Sequence, residues 1–147
     1  MAHTYASNFV HCVFSTKGRA RLIPRDRQQN LWAYLSGIAQ RHQFETVAIG
    51  GIANHVHILV VLPPSKSLAD AIRELKANSS RWMNETTRGF AWQEGYGAFS
   101  VSPSQVPVVK EYIRQQAEHH RKRSFEDEFL ALLKKCGIEY DANFVLG

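Results

Sequence analysis

Residues 52–62 read IANHVHILVVL. The run is short, rich in β-branched residues and closed by Pro63-Pro64, which marks a buried strand. Along a strand, residues i and i+2 point the same way. His55 and His57 therefore project side by side from one face, while Val56, Ile58 and Val60 line the other. Two neutral imidazoles so placed can share one divalent cation. A His-x-His pair alone also fits ordinary polar residues in a sheet, so its reading depends on the rest of the chain.

The 147 residues suit one domain, 1–147, with an ordinary core. A hydrophobic share of 44% argues against wholesale disorder. The net charge of +5 and pI near 9.4 suit a polyanionic partner such as nucleic acid. Cys12 and Cys136 make no disulfide framework; free buried thiols are expected, in keeping with a reducing cytoplasm. No apolar run approaches the ~20 residues of a membrane span. The opening residues lack the form of a signal peptide. A cytoplasmic protein without a membrane partner is the expectation.

Working outward, NFVHCVFS (8–15) reads as a first strand, apolar on both faces as a central strand would be. His11 is its exception; facing His55, it would support that ring from behind. A basic turn, TKGRARL (16–22), follows. The first helix should start near Pro24 and run to about His42, with Leu31, Leu35, Ile38 and Ala39 as its buried stripe. Strand two, about Glu45 to Ile52, joins the histidine strand through a tight turn at Ala53-Asn54. Gly50-Gly51 is a candidate bulge. A second helix opens at Ser67 with Asp70 three residues on. Its Lys76, Ser79, Ser80 and Arg81 could face a nucleic-acid backbone. Strand four is YGAFSV (96–101), and Ser102-Pro103 opens a third helix running through about His120. A last helix has Ser124 as cap, a Phe125, Phe129, Leu132, Leu133 stripe, and Gly137 as its end. The tail from Ile138 to Gly147 is mixed apolar and should dock back, onto its own chain or onto another subunit. The order β-α-β-β-α-β predicts an α+β, ferredoxin-like antiparallel sheet with the first and third strands central, followed by C-terminal helices.

The third helix carries VVKEYIRQQAEHHRKR (108–123). Tyr112 and Gln116, four apart, share a helix face. A lone helical tyrosine is ordinarily a packing residue. Beside a histidine pair in a basic chain, however, it suggests phosphodiester chemistry on a nucleic acid. A phenol with a pKa near ~10 needs help to attack at neutral pH. A divalent metal on the scissile phosphate would make phosphorus more electrophilic. Attack by Tyr112 would leave a phosphotyrosine that the displaced sugar hydroxyl could later reverse, with no nucleotide cofactor.

The chain resembles the small single-tyrosine HUH transposases of bacterial and archaeal insertion sequences and their REP-associated relatives. The resemblance rests on His55-Val56-His57 as the His-hydrophobe-His element and on FSTK (14–17). It extends to NHVHILV (54–60), WQEGYGAFSVS (92–102), the Tyr-x-x-x-Gln of Tyr112 and Gln116, and EHHRKRSFEDEF (118–129). It implies that His55 and His57 bind Mg²⁺ or Mn²⁺ with Gln116 as third ligand. It further implies that Tyr112 cleaves single-stranded DNA, keeping the 5′ phosphate and freeing a 3′ hydroxyl. Hairpin DNA and a homodimer partner are implied too, with the tyrosine acting in cis or in trans. On charge alone, Lys17, Arg19, Lys76, Arg81 and Arg121 are candidate DNA contacts. Nitrogen ligands favour Mn²⁺ over Mg²⁺. The alternatives are a domesticated nuclease of palindromic repeats and a catalytically silent hairpin-binding module.

Overall fold

The computed structural model describes residues 3–147; the first two residues of the expected domain lie outside the described part. Strands β1 (Phe9–Ser15), β2 (Glu45–Ile52), β3 (His55–Val61) and β4 (Gly97–Val101) form one sheet in the order β2-β3-β1-β4. All its pairings are antiparallel. With helix α1 (Arg25–Arg41) after β1 and α2 (Leu68–Asn84) after β3, this is the ferredoxin-like arrangement. β1 and β3 are central, as expected.

Alternation along the central strands divides the core in two. Cys12 and Phe14 of β1 and Val56, Ile58 and Val60 of β3 pack beneath Leu31, Leu35 and Ile38 of α1 and Ile72, Leu75 and Met83 of α2. The opposite face carries Val13 and Phe99, covered by Phe125, Phe129 and Leu133 of α5 (Phe125–Lys135). Both histidines of β3 emerge on this second face. Ser67 caps α2 by accepting from the Asp70 N–H at 3.0 Å, and Ser124 caps α5 by accepting from the Asp127 N–H at 3.1 Å. Gly137, at φ +67°, ends α5 as its position predicts.

The structure corrects four sequence expectations. The third helix is not continuous: a 3₁₀ turn (Pro103–Gln105) leads into α3 (Val106–Arg114), which breaks at Gln115 before the single turn α4 (Gln116–His119). At the break, Gln115 has φ −95° and ψ 23°. The new direction turns Gln116 and, four residues on, His120 toward the sheet. The bulge lies between Thr46 and Ala48, not at the glycine pair. Gly50 is glycine for another reason, since a Cβ there would stand 2.3 Å from the Ile113 carbonyl oxygen of α3. Ser79 is buried rather than outward, accepting from Trp92 Nε1 at 2.9 Å and donating to the Leu75 carbonyl at 2.6 Å. Cys12 is buried, but Cys136 is exposed.

The tail does dock back on its own chain. Arg19 donates to the Leu146 carbonyl at 2.7 Å and Gln93 to the Gly147 carbonyl at 2.8 Å. Gln93 also accepts from the Ser15 N–H at 2.7 Å. Among the described residues, no helix is long and apolar enough to cross a membrane.

Candidate active site

His55 and His57 are fully buried on the central strand β3, each held by ladders on both sides. Their ring centroids lie 5.1 Å apart. Each ring has one nitrogen engaged from outside the cluster. His55 Nδ1 lies 2.9 Å from Asn54 Oδ1, and His57 Nδ1 lies 2.8 Å from Nε2 of the buried His11. A ring donating through Nδ1 turns an unprotonated Nε2 the other way. Both Nε2 atoms face the helices that cover the sheet.

Those helices answer with oxygen. Gln116 Oε1 lies 3.0 Å from His55 Nε2. Glu128 Oε1, from the first turn of α5, lies 3.0 Å from His57 Nε2 and 3.5 Å from His55 Nε2. Gln116 and Glu128 are 1% and 2% exposed. The Tyr112 hydroxyl donates to the other carboxylate oxygen, Oε2. Its ring stands edge-on to His57 at 5.7 Å. One chain thus assembles both histidines, the amide, a carboxylate and the tyrosine. A cavity of about 540 Å³ opens beside Tyr112, with Ser102, Gln105 and Lys135 among its polar lining.

Burial, helped by the neighbouring His57, holds His55 at about 3, and the same two causes hold His11 at about 3. Both rings are therefore neutral near pH 7. Burial would raise Glu128, but contacts with His120, His57 and Tyr112 outweigh it and hold the carboxyl well below its usual range. Burial first, and then the bond to the charged Glu128, push the Tyr112 phenol above its ordinary value.

The donor set fits a divalent cation. Imidazole nitrogens of His55 and His57 stand 3.0 Å from an amide and a carboxylate oxygen, a nitrogen and oxygen donor set of the kind that holds a divalent cation. Cis ligands on an ion at ~2.1 Å stand roughly 3.0 Å apart, which is the spacing seen here. His55, His57 and Glu128 each offer a ligand atom within 4.8 Å of the others.

Of the residues singled out in the sequence, Tyr112, His55, His57 and Gln116 come together. Glu128 was missed. A signal was available, since it sits beside Phe125, Phe129 and Leu132 on the apolar side of an amphipathic helix. A carboxylate there must find a polar partner. His11 does support a histidine from behind, but the ring is His57 rather than His55.

The charge-based candidates divide. Lys17 is exposed, and Arg121 is exposed just after α4. Arg19 is committed to the tail carbonyl. Lys76 and Arg81 ride on α2, on the opposite face of the sheet from the imidazoles. Lys76 donates to the carbonyls of Gln93, Glu94 and Gly95 at 2.9, 3.1 and 2.7 Å, so its ammonium locks a loop.

Residues 4–116 match the protein family described as "Transposase IS200 like". The chain is 24% identical over 114 residues to the ISDra2 transposase TnpA of Deinococcus radiodurans, covering 72% of this chain and 81% of that one. It is also 24% identical over 130 residues to the transposase for insertion sequence element IS200 of Salmonella typhimurium, covering 82% and 84%. Its fold is similar to that of a REP-associated tyrosine transposase solved bound to a REP hairpin. There the TM-score is 0.63 at 15% identity, covering 82% of this chain and 73% of that one.

Proposed function

Since the chain belongs to the IS200-like transposase family, we propose that it nicks and rejoins single-stranded DNA through a covalent bond between Tyr112 and the 5′ phosphate. One observation carries this reading. The Tyr112 hydroxyl and the Nε2 atoms of His55 and His57 converge, in one chain, on the carboxylate of Glu128.

His55, His57, Gln116 and Glu128 would hold Mg²⁺ or Mn²⁺. Such an ion, when bound, supplies positive charge that polarises the scissile phosphate and eases ionisation of a neighbouring phenol. Tyr112 is the nucleophile. Its oxygen bonds to phosphorus as the bond from phosphorus to the 3′ oxygen breaks. The hydrogen bond to Glu128 orients the phenolic oxygen, and the phenolic proton leaves to water as the bond to phosphorus forms. The departing 3′ oxygen takes a proton and becomes a hydroxyl. Attack by a 3′ hydroxyl reverses each change, so one phosphodiester replaces another and no ATP is needed. The central strands hold both fully buried imidazoles in place before substrate arrives, which suits chemistry that depends on placement.

A homodimer, implied by the family resemblance, would bring together two sites that are each complete within a chain. Hairpin DNA is the proposed ligand, and the exposed Lys17 and Arg121 are its candidate phosphate contacts. A palindromic-repeat substrate is the second reading, favoured by the fold shared with the hairpin-bound transposase.

The test is labelled single-stranded DNA from the flanks of the gene, incubated with the protein and Mn²⁺ and run on a denaturing gel. Metal-dependent cleavage that disappears in His57→Ala, with an unchanged circular dichroism spectrum, is expected. Equal cleavage in a chelator would refute the reading. Salt-sensitive binding without cleavage would mark a silent hairpin-binding module instead.

A further inference from the structure

We propose that His120 is a further ligand of the same cation, giving a five-donor cage that selects Mn²⁺ over Mg²⁺. The inference rests on the cation site proposed above. It concerns a residue that lies beyond the matched family segment, which ends at residue 116.

The break at Gln115 makes the placement possible. Restarting the helix at Gln116 puts His120 one turn further on the same face, its N–H donating to the Gln116 carbonyl at 3.1 Å. The His120 side chain is only 4% exposed. Its Nε2 lies 3.1 Å from Gln116 Oε1 and 3.2 Å from Glu128 Oε1, and its ring centroid is 4.5 Å from that of His55. Its Nδ1 lies 2.8 Å from the Arg123 carbonyl oxygen. A carbonyl can only accept, so Nδ1 carries the proton. With Nδ1 so engaged, Nε2 is the nitrogen turned toward the same oxygens that face His55 and His57. The neighbouring His119 differs: its ring packs on Tyr112 at 4.8 Å.

Three imidazole nitrogens, an amide oxygen and a carboxylate oxygen make a donor set of intermediate softness. Magnesium prefers oxygen and gives up its water reluctantly, whereas manganese accepts imidazole more readily. The rival arrangement is an imidazolium at His120 that pairs with Glu128 as a fixed charge and leaves only two nitrogens for the ion.

Metal-stripped full-length chain is titrated with Mn²⁺ and with Mg²⁺ by calorimetry. Nitrogen couplings to bound Mn²⁺ are counted by pulsed paramagnetic resonance. Wild type should show three imidazole couplings, and His120→Ala two, with Mn²⁺ binding weakened roughly tenfold or more. Mg²⁺ binding should change less. His120→Gln, which keeps a polar side chain of similar reach, serves if the alanine variant fails to fold. His42→Ala, a remote imidazole on the other side of the sheet, should bind as wild type. Two couplings in wild type, with unchanged affinity in both His120 variants, would overturn the assignment of His120 alone. Failure of the wild type to bind Mn²⁺ at all would overturn the cation site itself.

Discussion

Gly50→Ala asks whether the sheet places the tyrosine. A Cβ at Gly50 would stand 2.3 Å from the Ile113 carbonyl oxygen and 3.1 Å from both the Ile113 carbonyl carbon and Cγ2. Reaching even the 3.0–3.4 Å of a tight contact requires the end of α3 to rise by 0.7–1.1 Å, the difference between those limits and 2.3 Å. Ile113 is fully buried and adjoins Tyr112, so the shift carries the phenol away from Glu128 and His57. Overpacking of this kind costs about 1–3 kcal/mol of stability. A misplacement of ~1 Å at a reacting group costs on the order of 10²-fold in rate. The assay is single-turnover cleavage of labelled single-stranded DNA with Mn²⁺, paired with a thermal melt and Mn²⁺ titration. A folded variant that binds Mn²⁺ within a few fold of wild type but cleaves about a hundredfold more slowly is expected. Gly37→Ala is the control, because nothing lies within 4 Å of a Cβ there and alanine favours the helix. Wild-type cleavage by Gly50→Ala would refute the claim that contact between α3 and β2 sets the nucleophile.

Three further outcomes are expected. Glu128→Gln keeps the side chain's shape but removes the charge shared by Tyr112 and the imidazoles. Mn²⁺ affinity should fall roughly tenfold or more, and unchanged affinity by calorimetry would remove Glu128 from the site. The metal-free chain should lose stability below pH 6.5. His11 and His55 sit at about 3 when folded against 6.5 unfolded, so the unfolded chain takes up protons first as pH falls. Stability is complete above the unfolded value and declines toward pH 5 by at most about 1.4 kcal/mol per pH unit for each ring. Glu128 adds loss in the same direction only below its ordinary 4.5. Urea midpoints that stay flat from pH 7 to 5 in a chelator would contradict the buried neutral rings. Ser79→Ala should cost about 1–3 kcal/mol, because it strands the buried indole N–H of Trp92. An unchanged melting temperature would count against it.

The fold was legible because its signals are local and periodic. Alternation in 52–62, the caps at Ser67 and Ser124, and proline after β3 each act within a few residues. The break at Gln115 has no such signal. VVKEYIRQQAEHH is a sound helical sequence throughout, and what interrupts it is tertiary: Gln116 turning to His55 and Ile113 packing on Gly50. The histidine pair stands out in the sequence by type and spacing, whereas Gln116 is singled out as a ligand only through the family resemblance. Glu128 and His120 take their meaning from α5 folding back across the sheet. Cationic residues were the least informative class. Lys76 looks like a phosphate ligand in sequence, yet its ammonium satisfies three carbonyls of a loop.

The most direct measurement is mass spectrometry of the protein after reaction with single-stranded DNA in Mn²⁺. After nuclease and protease digestion, a nucleotide 5′-phosphate attached to Tyr112 is expected, absent from Tyr112→Phe and from reactions in chelator. An adduct on another residue, or an undiminished adduct in Tyr112→Phe, would contradict attack by this phenol.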